Sequence, residues 1–307
     1  MIRDKVLPWI YSIFSLTFLG GIIACGSFQA VASPALDISS ISSEAGREVT
    51  FMPENELHLY DGLYFTSMSE ELFNSILNKI SKKYTPIVSR FGANLKIIGK
   101  WRDSTVNAYA YQIGRDWYVE IFGGLARRPE LSPDGLALVV CHELGHHLGG
   151  FPFYSGEPMS AEGESDYFAS QACAKEIWGA EEEENDKAYK EAPSSAIEFC
   201  ESKNLGGCSL PTLCVRTVSA GMGLAELLGG EELSPLNPDR RVVRKTLTSH
   251  PAAQCRLDTY AQAAICTARW NNVMIPQSEA QTAKYTCTRS KGFSKGNRPL
   301  CWYKPGR

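Results

Sequence analysis

The chain has 307 residues, of which 44% are apolar, with a formal net charge of −3 and ten cysteines. Its lysines and arginines are scattered, which excludes the basic stripe of a nucleic-acid-binding protein. Only one stretch, near the start, is apolar enough to approach a bilayer span, so a multi-span membrane protein is excluded as well.

That stretch covers residues 6–23 and follows a short basic start, so residues 1–24 read as a secretory signal. Ile22-Ile23-Ala24-Cys25 resembles a bacterial lipobox, which implies that Cys25 becomes the lipidated first residue. Gly26 after that cysteine implies, by the same resemblance, an anchor in the outer membrane facing the periplasm. Ala30-Val31-Ala32 offers a rival cleavage site before Ser33, giving a chain secreted to the periplasm or beyond. Residues 25–50 are small, Ser-rich and aperiodic, the composition of a flexible tether. Residues 51–275, about 225 in all, suit one catalytic domain, with residues 276–307 a cysteine-bearing tail.

Within the domain, residues 67–91 place Leu72, Phe73, Ile76, Ile80, Tyr84, Ile87 and Val88 on one helical stripe, and Pro86 predicts a kink. Residues 94–101, 106–110 and 116–122 read as three short strands bounded by turn residues, with Trp101 and Trp117 as core. Residues 181–184, four glutamates in a row, read as a solvated surface turn.

Ser132-Pro133-Asp134 opens a helix with a hydroxyl cap, a proline in the first turn and an early acid; Gly149-Gly150 closes it. Inside it lies His142-Glu143-Leu144-Gly145-His146. Residues i and i+4 share a helix face, so the two imidazoles point at one spot and can hold zinc, with Glu143 placed as general base. Five histidines in the chain make an accidental H-E-x-x-H about a one-in-a-hundred event. A second helix, over residues 162–178, repeats the spacing with Glu162 and Asp166. Glu162 can complete a His2Glu site and Asp166 can accept the spare N–H of a ligand histidine, whereas Glu164 faces away. The bland alternative for this pair is an acidic helix start.

Ten cysteines suit an exported, disulfide-bonded chain. Cys255 and Cys266 lie on one helix, about 16 Å apart by its rise, and cannot pair together. Cys287 and Cys301 bracket a Gly- and Lys-rich loop and are expected to bridge; Cys200, Cys208 and Cys214 are expected to partner the 255–266 helix. Cys141 projects about 100° away from His142, which suits core packing or a bridge to Cys173. His250, beside Pro251 at a helix start, is either structural or placed over the metal.

Asn107-Ala108-Tyr109-Ala110, then a strand, Gly124-Leu125, an apolar run and H-E-L-G-H resemble the core of the CAAX prenyl protease and HtpX-like metallopeptidases, which are gluzincins. Thr248-Ser249-His250-Pro251, followed by Arg256-Leu257, is similar to that family's T-H-P segment. The short gap to Glu162 and the E-x-x-S-D spacing are also similar to thermolysin-like enzymes. The resemblance covers residues 67–270 and implies an α+β, zincin-like fold with a small sheet, a His helix, a Glu helix and a disulfide-containing helical C-terminal part. It implies one zinc per chain on His142, His146 and Glu162, a functional His250, and Arg256 as an oxyanion or substrate contact. The activity expected is hydrolysis of peptide bonds in envelope proteins, with strand 116–122 taking substrate as an added β-strand. The rival readings are a zinc-bearing chaperone or assembly lipoprotein, and a zinc hydrolase of non-peptide bonds.

Overall fold

The computed structural model describes residues 48–60, 62, 68–203, 211–229 and 232–306. The signal, Cys25, Ser33, nearly all of the tether and Cys208 lie outside the described residues. Those described belong to one compact unit that includes residues 276–306. No described helix is long and apolar enough to cross a membrane. Among the described residues the architecture is mixed α+β, a four-stranded sheet with helices.

Strand β1 is Val49–Thr50, where a tether was expected. Helix α1, Glu70–Ser89, starts at Ser69, whose hydroxyl accepts from the Leu72 N–H, and buries Phe73, Leu77, Ile80, Tyr84, Ile87 and Val88. Strands β2 (Asn94–Lys100), β3 (Ala108–Ile113) and β4 (Asp116–Phe122) follow. Gly114, at φ +59°, turns β3 back onto β4. Trp101 and Trp117 are both buried.

The sheet order is β1-β3-β4-β2. Strand β4 pairs with β3 on one side and β2 on the other, so both rows of its backbone groups are used. The expectation that residues 116–122 take substrate as an added strand is therefore corrected: a central strand has no edge to offer. The fully buried run of β4 residues, Val119 to Phe122, is the signature of that central position.

A single turn, α2 (Gly123–Ala126), leads to α3 (Pro133–Leu148), whose first turn is capped by the Ser132 hydroxyl, 3.0 Å from the Gly135 nitrogen. Leu136, Leu138, Val139, Val140 and Leu144 are fully buried, each worth about 1.5–3 kcal/mol of apolar burial, which drives the His helix into the middle of the domain. Helix α4 (Glu162–Phe168) continues through a π-helical stretch, Ala169–Ala174, into α5 (Lys175–Trp178). Helices α3 and α4 cross at Gly145, where any Cβ would stand 2.7 Å from the Ser165 Cα. Only glycine permits that approach.

Helices α6 (Glu182–Glu191), α7 (Ser194–Glu201), α8 (Pro211–Leu227) and α9 (Ala253–Ala264) complete the helical layer. Residues 182–184 are exposed as expected, but they open helix α6 rather than form a turn, and Glu181 before them joins Lys79 and Arg216.

Four disulfides tie these elements. Cys141–Cys173 joins α3 to the π-helical stretch, and Cys200–Cys214 joins α7 to α8. Cys255–Cys301 and Cys266–Cys287 bind the two ends of α9 to the C-terminal segment. Two expectations are corrected here. Cys287 and Cys301 each pair with α9 rather than with one another, and Cys200 and Cys214 pair together. The segment does not fold on itself as a tail; it lies along α9 and packs Trp302 against Gly163 of α4, so its cysteines face α9.

Candidate metal centre

His142 and His146 project from α3 so that their Nε2 atoms approach to 3.1 Å. Glu162, the first residue of α4, brings its Oε2 to 3.3 Å from His142 Nε2 and its Oε1 to 3.7 Å from His146 Nε2. One ligand atom from each of the three lies within 4.8 Å of the others, and all three residues are fully buried. This is a group that could hold a metal ion.

The back of each imidazole is fixed. His142 Nδ1 donates to Asp166 Oδ1 at 2.7 Å, and His146 Nδ1 donates to the Ser160 carbonyl at 2.8 Å. With Nδ1 carrying the proton, Nε2 presents a lone pair to the shared point. Burial and the neighbouring His142 outweigh Glu162 and hold His146 down to about 3, so it is neutral and ready to ligate. Burial alone would push His142 down too, but Asp166 outweighs it and lifts the imidazole to about 9, so without a cation Nε2 keeps a proton that metal binding displaces.

Asp166 is itself gripped. Arg256 donates to both of its oxygens at 2.8 Å, and the Tyr260 hydroxyl donates to Oδ1. Burial pushes this carboxyl up, yet Arg256 and His142 hold it well below the usual carboxylate range. Arg256 is 1% exposed, and its remaining nitrogen donates to the Phe51 carbonyl at 2.7 Å. The bidentate grip on Asp166 makes Arg256 a support of His142, with one nitrogen left over for a backbone carbonyl, that of Phe51. Glu164 sits on the opposite face of α4, paired with Arg298, as its spacing predicts.

Both carboxylate oxygens of Glu143 and Oε2 of Glu162 are buried and make no hydrogen bond. A buried carboxylate is costly without a donor or a cation, and burial pushes Glu143 up to about 8. Two imidazole lone pairs and a ligand carboxylate form a donor set that a divalent cation satisfies.

His250 stands at the rim. Its Nε2 donates to the Thr50 carbonyl at 2.7 Å and lies 3.4 Å from Glu162 Oε2. Burial pulls its imidazole below the ordinary value, with Glu162 opposing. His147, the extra histidine of the motif, belongs to the core: it stacks on Trp117 and meets Gln112 and the Tyr118 carbonyl.

Sequence reasoning missed Tyr154, whose hydroxyl donates to Glu162 Oε1 at 2.5 Å. It lies in the irregular loop between α3 and α4, where no periodicity marks it. Asn107 was noticed only as part of a motif. In the structure its amide closes on Met52, accepting from the Met52 N–H at 3.0 Å and donating to the Met52 carbonyl. No protein-family model, no curated protein and no solved structure matches the chain.

Proposed function

We propose that this chain is a zinc-dependent endopeptidase of the gluzincin type, exported and lipid-anchored through Cys25, acting on envelope proteins. The observation that carries the reading is the unpartnered, buried Glu143 carboxylate beside the converging His142, His146 and Glu162. A purely structural metal site needs a fourth ligand and no base, whereas a hydrolytic one needs a base that makes no other bond. The four disulfides support an oxidising compartment.

Bound at this point, zinc supplies Lewis acidity to a carbonyl and lowers the pKa of water to about 7. Glu143 takes the proton of the attacking water and passes it to the leaving amine. Asp166, held charged by Arg256, keeps His142 in one tautomer. Tyr154 orients Glu162. His250 Nε2 donates to a peptide carbonyl oxygen at the rim, the role an oxyanion donor requires.

The test is hydrolysis of casein or an unfolded outer-membrane protein by the wild type beside Glu143→Gln, with metal analysis of both. The expected outcome is about one zinc per chain in each and a loss of turnover of about 10²–10⁴-fold in the variant. Equal turnover in the two proteins would sink the assignment of Glu143, and a zinc-free wild type would sink the metal site.

A further inference from the structure

Four residues before α1 lie where a substrate would have to lie. Val49 and Thr50 pair antiparallel with Ala110 and Tyr109 on the edge of β3, and the Phe51 N–H continues the ladder to the Ala108 carbonyl at 3.0 Å. On the other flank Val49 packs with Tyr154 and Met159, in the loop that carries the hydroxyl bound to Glu162. The next two carbonyls are taken by side chains of the site: Thr50 by His250 and Phe51 by Arg256, each at 2.7 Å. The Phe51 ring meets His142 edge-on, with centroids 5.2 Å apart.

An extended stretch bonded as a strand on one side, with its carbonyls gripped on the other and a side chain against a metal ligand, is a peptide in a cleft. Phe51 is fully buried, and so are His142, Glu143, His146 and Glu162. A second peptide cannot add to β3 at Ala108–Ala110 while Val49–Phe51 holds that edge.

We propose that residues 49–52 are an autoinhibitory segment: the chain keeps its own N-terminal stretch in the substrate track, and the site opens when that stretch is withdrawn. The substrate part of this inference rests on the endopeptidase reading; the occlusion of the metal site does not. Asn107 is the latch, because its amide closes both backbone groups of Met52. Residues 53–57 beyond it are exposed and give the segment a strap on which a partner or a protease can act. Held on the same chain, the segment competes at an effective concentration of about millimolar, so severing that link and washing should release it.

The experiment places a site-specific protease sequence between the exposed Glu54 and Asn55 of the full chain, then cuts and washes. Two rates are read, removal of zinc by a chelator and hydrolysis of an unstructured fluorogenic peptide. Both are expected to rise about tenfold or more on cutting, and a synthetic peptide of residues 46–54, but not a scrambled one, should restore the slow rates. Mass spectrometry showing the segment gone with both rates unchanged would overturn the proposal. So would loss of cooperative melting on cutting, since the segment would then be part of the fold. A cut segment that stays bound shifts the test to uncut Asn107→Ala, which must speed chelation; an unchanged rate there also overturns it. Faster chelation without hydrolysis would sink the endopeptidase reading and leave the occlusion standing. An uncut chain that hydrolyses as fast as the cut one would do the reverse.

Discussion

Glu164 and Asp166 are two residues apart on α4, both fully buried, and each is held by an arginine through both oxygens. They serve different regions of the molecule. Asp166 faces the metal centre and spends one oxygen on His142, with Arg256 and Tyr260 behind it. Glu164 faces the C-terminal segment, where Arg298 also reaches Thr286, and Gly163 beside it lets the Trp302 ring lie flat against the helix. Burial pushes Glu164 up to about 7, with Arg298 opposing, whereas Arg256 and His142 together overcome burial at Asp166. A buried carboxylate stays charged according to how many partners favour its charge. At the metal centre the charge is needed to orient an imidazole; at the clamp the pair is one way among others of filling space.

This difference can be broken experimentally. The largest effect is expected for Asp166→Asn, which leaves a buried guanidinium without its counter-charge and should cost about 3–5 kcal/mol in chemical denaturation. The same variant should weaken zinc binding by about 10–100-fold in a chelator competition, since His142 loses the partner that sets its tautomer. Glu164→Gln likewise leaves a buried guanidinium, that of Arg298, without its counter-charge and should cost up to about 3–5 kcal/mol, but leave zinc affinity unchanged. A drop in affinity there would mean the two faces of α4 are coupled.

Paired replacements sharpen the contrast. Glu164→Leu with Arg298→Met should fall within about 1 kcal/mol of the wild type, because an apolar pair of similar volume removes both desolvation penalties. Asp166→Leu with Arg256→Met should recover less stability, because His142 Nδ1, the Tyr260 hydroxyl and the Phe51 carbonyl lose their partners, and should not recover zinc affinity. A pH-dependent effect lies on the clamp side, where Lys175 donates to the Cys266 carbonyl and burial lowers its amine to about 8. The unfolded chain then binds more protons than the folded one between about pH 8 and the ordinary lysine value of 10.5, so stability rises with pH across that window. Lys175→Met should flatten the rise, and an unaltered slope would assign it to another group.

The candidate metal ligands were legible because their geometry is local. His142 and His146, like Glu162 and Asp166, are four residues apart on a helix, and helical pitch alone puts each pair on one face. The strands expected at 94–101 and 116–122 were legible as short runs bounded by turn residues, and helix geometry left Cys141 two fates, core packing or the bridge to Cys173 that the structure shows. Tyr154 was not legible, since an irregular loop has no period to read. Nor was the true role of Arg256, whose residue type suits an oxyanion contact equally well.

The sequence by itself determined what lies within a few turns of one chain: the helix caps, the paired ligand spacings, the apolar stripe of α1 and the turn at Gly114. Tertiary structure decided everything that depends on which face meets which. It put β4 in the centre of the sheet, drew Cys287 and Cys301 to opposite ends of α9, turned Arg256 inward onto Asp166 and laid Val49–Met52 across the site. The physical reason is that local backbone preferences act through neighbours along the chain. Cysteine pairing and charge pairing are chosen by burial among residues 14 to 205 positions apart, as the Cys200–Cys214 bridge and the Arg256–Phe51 contact show.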